Sequence, residues 1–419
     1  MSKKVVALGG GHGLAATLTA LRSLTSDITA IVTVADNGGS SGRLREEFQI
    51  LPPGDLRMAL AALCSDDEWG RSWAQIMQYR FTSEGPLNGH AVGNLLLAAL
   101  WDRDEDTVAG LDRVGALLKV VGRVLPMATE PLDIEAVFEN SIGTQIVRGQ
   151  AEVATTKGKL KTLRIIPEVP AAQPEALTAI KDAEWITMGP GSWFSSVIPH
   201  LLVPSLRDAL IETDAKKILL LNLDSADKSA GEYAGYSPLE HLQILQRYAP
   251  GLRFDLVILD SSAEGATELH SYLSTIGSEL LVADLRSSGA PLHHDVKKLG
   301  QLFCDESAQQ IIDMLLLECE MANVVLKKGT TINDIDKCDE KYFIVTLMKD
   351  EQLQLIQTFN YQSSEDVLYH IMNVVNQHDI SIASLSVLIS GKIDLDKTTY
   401  NLIQQYFSNI EYLHQYLKF

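Results

Sequence analysis

Short apolar runs alternate with longer stretches of helical periodicity along the first 300 residues. Val5–Leu8 is apolar throughout and reads as a strand buried on both faces, and Leu14–Leu24 carries apolar residues near helical spacing. Ile28–Val34 (ITAIVTV) is β-branched and apolar, so the chain opens β-α-β. A glycine and serine loop, ADNGGSSGRLREEF, then runs into a short helix, and Pro52-Pro53-Gly54-Asp55 places Asp55 to cap a helix over Leu56–Leu63. Helices over Ala91–Trp101 and Val108–Val120 follow. From about Ala136 to Ile166 the pattern shortens into β-prone pieces around Lys157-Gly158-Lys159, which predicts inserted hairpins. Alternation then resumes: Trp185–Met188, Lys217–Leu223, Phe254–Leu259 and Glu279–Val282 read as strands. Helices fall near Pro174–Lys181, Pro204–Glu212, Pro238–Arg247 and Ala266–Ile276. The whole pattern predicts an α/β fold, a doubly wound, mostly parallel sheet with a small β-rich insertion at about 136–166.

Composition divides the chain. Of 29 glycines, 27 lie within the first 300 residues, the last proline is Pro291 and the last arginine is Arg286. We therefore place a domain at 1–303 and a separate α+β segment at 304–419, a candidate fusion of two pieces. A length of 419 residues suits two or three domains. The net charge of -19 argues against a nucleic-acid or anionic-membrane binder, since counterion release needs clustered Lys and Arg. Cys64, Cys304, Cys319 and Cys338 show no CxxC spacing, so neither zinc nor a disulfide framework is expected, and a reducing, cytoplasmic setting fits. The apolar run after Lys3-Lys4 breaks at glycine after four residues, short of a signal peptide, and no stretch approaches a membrane span.

Three small-residue loops carry the candidate chemistry. Gly9, Gly10, Gly11, His12 and Gly13 follow the first strand and open a helix, the outline of a phosphate turn. Gly11-x-Gly13-x-x-Ala16 threads a dinucleotide fingerprint, with Asp36 where a ribose-binding acid would stand. Yet Asn37, Gly38, Gly39, Ser40 and Ser41 extend that second loop beyond what a ribose needs. The third loop, Gly189, Pro190, Gly191, Ser192, Ser195 and Ser196, offers backbone amides and hydroxyls to an anion. Loops after parallel strands meet at the carboxyl edge of the sheet, where such folds bind ligands. Asp36 and Asp55 are the candidate metal ligands, for magnesium on a diphosphate; the competing reading of Asp55 is the helix cap. Arg43, Arg45 and Arg57 are placed to pair with phosphate or to form surface ion pairs, and His90 and Asn94, four apart, share one helix face. His12 and Asp36 are the candidate catalytic residues. There is no GxSxG, HExxH or Walker A lysine.

GGGHGL, TVADNGGSSGRLR, PPGDLRMALAAL, GHAVGNLLLAALW, LPMATEPLDI and MGPGSWFSSVIPHLLVPSLRDAL stand in the order seen in the gluconeogenesis factor family (YvcK type), and the chain resembles that family over about residues 3–303. The family is related to 2-phospho-L-lactate transferase (CofD-like). The resemblance implies a Rossmann-like fold and a cytoplasmic bacterial protein that binds UDP-sugars such as UDP-N-acetylglucosamine. It also implies a role in growth on gluconeogenic carbon sources and in cell shape through peptidoglycan synthesis, with cell-wall synthesis proteins and a second copy of the chain as candidate partners. The transferase branch moves phospholactate from a guanosine diphosphate donor, with magnesium; its more acidic second loop differs from Gly38-Gly39-Ser40-Ser41, which leaves open whether this chain is an enzyme. By resemblance the first and third loops hold nucleotide phosphates, while Asp36, Asn37 and Asp55 face the sugar-linked or transferred group. One departure is DSADKSAGEYAGYSP after Asn222-Leu223, where relatives carry a Pro-Gly-Glu turn. The tail weakly resembles a Bacteroidota domain of unknown function with an actin-like fold and shows no phosphate loop.

Overall fold

The structure is a computed structural model, described over residues 3–140, 143–223, 236–287 and 294–303, and over the tail segments 322–328, 342–349, 352–360, 364–377, 386–391 and 409–412. The chain divides into two units, Met1–Cys304 and Asp305–Phe419.

The first unit opens with β1 (Val5–Gly9), α1 (Gly11–Leu21) and β2 (Ile28–Val32). Then come α2 (Gly39–Phe48), α3 (Pro53–Ala62), α4 (Glu68–Gln78), α5 (Val92–Asp104), α6 (Thr107–Leu118) and β3 (Arg123–Pro126). The insertion comprises β4 (Asp133–Asn140), β5 (Gly143–Arg148), α7 (Gln150–Thr155) and β6 (Lys159–Ile166). After it follow α8 (Pro174–Asp182), β7 (Trp185–Met188), a π-helical turn at Trp193–Val197, α9 (Pro199–Leu202), α10 (Pro204–Glu212) and β8 (Lys216–Leu220). The unit ends with α11 (Pro238–Tyr248), β9 (Leu256–Asp260), α12 (Ala266–Thr275), β10 (Glu279–Ala283) and a helical segment at 296–303.

Seven strands form one parallel sheet in the order β10-β9-β8-β7-β1-β2-β3. β1, β7 and β9 are buried along their whole length, which is why they read as unbroken apolar runs rather than as alternation. From β1 the chain builds outward through β2 and β3 on one side, and through β7 to β10 on the other. The order therefore reverses between β1 and β7, and the crevice at their carboxyl ends is the topological switch point of a doubly wound, Rossmann-like fold. The insertion is a separate antiparallel sheet in the order β5-β4-β6. Phe138 of β4 packs edge-on against Phe194 at 6.1 Å, and the amides of Leu160 and Leu163 donate to the hydroxyls of Tyr236 and Tyr248. Among the described residues no helix is long and apolar enough to cross a membrane.

Four elements depart from the pattern-based reading. The first helix starts at Gly11 rather than Leu14, so two of the loop glycines form its first turn. The third helix starts at Pro53: a proline is preset for the first helical position, where its missing N–H costs nothing, and Asp55 thus sits inside the first turn rather than capping it. Both β3 and α4 escaped the periodicity. β3 is a short edge strand beginning at arginine and ending at proline, which an edge tolerates, and α4 buries only Gly70 and Met77.

In the second unit, β11 (Ala322–Lys328), β12 (Tyr342–Lys349), β13 (Gln352–Asn360), β14 (Ser386–Gly391) and β15 (Asn409–Tyr412) form a mixed sheet ordered β13-β12-β11-β14-β15. A helix at Ser364–Gln377 buries Val367, Ile371 and Val375, four residues apart on one face.

Candidate functional site

The first and third loops meet at the switch point, backbone against backbone. A Cβ on Gly13 would run into the Pro190 carbonyl oxygen and stand 2.9 Å from Gly191 Cα, so only glycine lets α1 start this close to the β7 loop. The first turn of a helix leaves amides without intrahelical acceptors and carries the positive end of the helix dipole. Here that turn, through His12 and Gly13, forms one wall of a cavity of about 620 Å³. Pro190, Gly191 and Asn222 form another wall, and Ala15, Ala16, Ala61, Ala62, Ala74 and Met58 give it apolar faces.

The third loop spends its donors internally. The Gly189 amide donates to the Leu8 carbonyl, and the Gly191 amide donates to Asn222 Oδ1 at 2.8 Å, while Asn222 Nδ2 returns a bond to the Gly191 carbonyl at 2.7 Å. The Ser192 and Ser195 hydroxyls bond each other, and Ser192 Oγ also accepts from the Ser195 amide as the cap of the π-helical turn. Ser195 and Ser196 are buried. The expectation that Gly189 and Gly191 offer free amides is thus corrected: the sheet and Asn222 take both, and the loop contributes shape.

Asp55 reaches under the first loop from α3. The Gly11 amide donates to its carboxylate, its Oδ2 has no hydrogen-bond partner among the described residues, and a Cβ on Gly10 would stand 2.5 Å from that oxygen. Burial, and then the charge of Asp36, push the Asp55 carboxyl up to about 7. Asp36 lies beside it: a Cβ on Gly54 would stand 2.9 Å from Asp36 Oδ2, and Asp36 Oδ1 accepts from the Gly38 amide at 2.9 Å. Asp36, Gly38, Gly39, Ser40, Ser41 and Asp55 open onto a second cavity of about 310 Å³, which shares Met58 with the larger one.

Other expected residues are engaged elsewhere. Asn37 donates to Glu152 and accepts from the Ala151 amide, pinning α7 of the insertion. Arg43 donates to the Pro86 and Asn88 carbonyls, and Arg45 to the Leu132 carbonyl and Asp133. Arg43, Arg45 and Asn37 border a groove of about 700 Å³ that shares Gly39 with the second cavity. His90 and Asn94 do converge, but on Ser40: its hydroxyl bonds His90 Nδ1 at 3.0 Å and accepts from Asn94 Nδ2 at 3.0 Å. Both residues are buried, and burial lowers the His90 pKa, so the pair positions the start of α2. The altered turn after Leu223 falls largely at 224–235, outside the described residues.

Sequence reasoning gave Asn222, Met58, Gln78 and Arg80 no role in the site, and left Arg57 between phosphate and surface. Arg57 is 2% exposed, lines the second cavity, and donates to Gln78 Oε1. Asn222 had a usable signal: it follows β8 at the carboxyl edge, next to the β7 loop.

A parallel sheet that reverses beside two interlocked small-residue loops defines a Rossmann-like α/β protein, with the candidate site at the switch point. The chain belongs to the family described as 2-phospho-L-lactate transferase CofD, which matches residues 5–310. A relative named "Putative gluconeogenesis factor" from Mycobacterium tuberculosis is 48% identical over 319 residues, 74% of this chain and 92% of that protein. "Gluconeogenesis factor" of Bacillus subtilis is 36% identical over 309 residues, 74% of this chain and 91% of that one. The crystal structure of a UPF0052 family member from Bacillus halodurans superimposes with a TM-score of 0.63 at 32% identity, covering 72% of this chain and 98% of that one. In the tail, residues 335–410 match a family of unknown function, DUF3822.

Proposed function

We propose that the first unit binds a UDP-sugar, such as UDP-N-acetylglucosamine, and serves as a gluconeogenesis factor. The observation that carries this reading is the cavity at the switch point: a helix N-terminus on one wall and alanine faces on the others. A diphosphate suits the first and a nucleoside the second. The relatives' name extends the role to growth on gluconeogenic carbon sources, and the resemblance extends it to cell shape through peptidoglycan synthesis in the cytoplasm. Cell-wall synthesis proteins and a second copy of the chain are the candidate partners. UDP-N-acetylglucosamine at 100 times its dissociation constant is expected to stabilise the protein by about 2.7 kcal/mol, read as a rise in Tm. No rise with it, beside a clear rise with NAD, would overturn the reading in favour of a dinucleotide.

A second reading, a magnesium-dependent transferase releasing GMP from a guanosine diphosphate donor, draws on Asp55. Magnesium typically takes one or two carboxylates and completes its shell with water and substrate phosphate. Asp36 and Asp55 fit that donor set, with Asp55 Oδ2 buried and unpartnered among the described residues, although no group of three acidic, His or Cys residues gathers there. These two residues would hold the ion, and it would offset diphosphate charge. The expected result is magnesium-dependent GMP release that disappears in Asp36→Asn; no product from authentic donor and acceptor removes this reading.

A further inference from the structure

α4 carries an aromatic stripe along its solvent side. Trp69, Trp73 and Ile76 stand four and three residues apart on one helix face, while the residues that the helix buries are Gly70 and Met77. Tyr79 continues the stripe past the helix end; Trp73 is half-buried, and Trp69, Ile76 and Tyr79 are each 40–58% exposed. The side chains are already ordered: the Trp69 and Trp73 rings lie 5.8 Å apart, Trp69 Nε1 donates to the Leu117 carbonyl at 3.3 Å, and Tyr79 packs edge-on against Phe81 at 5.8 Å. Docking on such a surface loses little rotamer freedom. Leu117 of α6, 43% exposed, extends the patch beyond Trp69, over whose ring Lys119 Nζ stands at 5.3 Å. Single apolar residues on a surface are ordinary, but a contiguous patch marks an interaction surface.

We propose that this face docks against the same face of a second copy of the chain, with the two α4 helices antiparallel across a two-fold axis beside Trp73 and Ile76. A two-fold interface must complement itself, and the stripe does so in charge. Asp66, Asp67 and Glu68 stand at its N-terminal end and Arg80 at its C-terminal end, with the apolar residues between them. Antiparallel pairing sets Glu68 against the partner's Arg80, Trp69 against the partner's Tyr79 and Trp73 against the partner's Ile76; parallel pairing would set like charges together. The area agrees: the exposed side chains offer on the order of 400 Å² of apolar surface, and a stable interface buries about 800 Å² a side, somewhat over half of it apolar. A lipid surface is the poorer occupant, because the acidic end and the net charge of -19 repel anionic headgroups. On its other side α4 lines the larger cavity with Ala74 and Gln78, so the partner would brace one wall of the candidate site. Docking here is independent of what that cavity holds.

The test is sedimentation of the full-length chain over a range of concentrations. The native chain is expected to be a dimer at about 10 µM, and Ile76→Lys to weaken the dimer at least about 30-fold. Glu68→Arg and Arg80→Glu are each expected to weaken it about tenfold, and the two together in one chain to return it to within about threefold of native, because the reversed pairs again attract. A native chain that stays monomeric at about 100 µM overturns the proposal, as does a dimer indifferent to Ile76→Lys or a double variant no tighter than the single ones. Glu68 and Arg80 are both exposed, so the charge swap decides the matter if Ile76→Lys does not fold. A maleimide cross-linker on Ser72→Cys, an exposed position beside the stripe, is expected to join position 72 of two copies. A link within a single chain assigns the stripe to another segment of the protein, and a monomer that binds phosphatidylglycerol vesicles assigns it to lipid; either result overturns the proposal.

Discussion

Replacing Gly13 with alanine is expected to destabilise the first unit by about 1–3 kcal/mol and to weaken ligand binding at least about tenfold. Two effects of opposite sign meet at this position. In an ordinary helix, exchanging glycine for alanine gains up to about 1 kcal/mol of propensity. Here the added methyl meets the Pro190 carbonyl oxygen and Gly191 Cα, which are backbone atoms with no rotamer to escape through. Asn222 makes yielding harder, because its two bonds to Gly191 fix the β7 loop to the end of β8. The clash therefore outweighs propensity, and relief must come from parting α1 and the β7 loop, which opens the cavity between them. Gly85→Ala is the control, since nothing lies within 4 Å of its added Cβ and its stability should stay within about 0.5 kcal/mol of native. Urea unfolding of both variants beside ligand titration checks the pair; a Gly13→Ala protein with native stability and affinity would show that the loops do not need their backbone contact.

The same glycine shows where the sequence was legible and where it was not. The parallel strands were readable because burial on both faces removes polar positions from them, and the predicted strands at β1, β7, β9 and β10 lie within a residue or two of the observed ones. Gly11 and Gly13 hid the start of α1, since helix-poor residues there answer a tertiary demand, the approach of the β7 loop. The candidate site was legible as three loops at one sheet edge. What each residue does inside those loops was not, because that depends on partners far away in sequence. Ser40 is held by His90 and Asn94, Gly191 by Asn222, and Asn37 by the insertion at Ala151 and Glu152. Asp55 was readable as acid near a helix start, but the helix whose amide it receives is α1, more than 40 positions earlier.

Asp55→Asn is expected to stabilise the protein at alkaline pH, and by an amount that vanishes in acid. Burial, followed by the neighbouring Asp36 charge, raises the Asp55 carboxyl from 3.8 to about 7 in the native state. Between these values the folded protein holds a proton that the unfolded chain has released, so stability from this group falls as pH rises through the window. Above about pH 7 the full cost of a buried carboxylate is present, on the order of 4 kcal/mol for a gap of this size. An asparagine keeps an acceptor for the Gly11 amide, turns a donor toward Asp36, and carries no charge to desolvate. Asp133 and Asp260 act in the opposite direction: hydrogen bonds from Arg148 and Arg45, and from Ser262 and the Leu285 amide, hold their carboxyls below the usual range despite burial. Their stabilisation is lost as pH falls, but it is common to both proteins and cancels in the difference. Urea unfolding at about pH 5 and about pH 8 should therefore show the variant gaining roughly 2–4 kcal/mol over native at the higher pH and much less at the lower. Parallel stability curves would mean that Asp55 is no more costly to ionise than a surface carboxylate. The expected divergence, joined to weaker binding of the diphosphate ligand in magnesium, would show that the group costs stability at neutral pH because the site uses its charge.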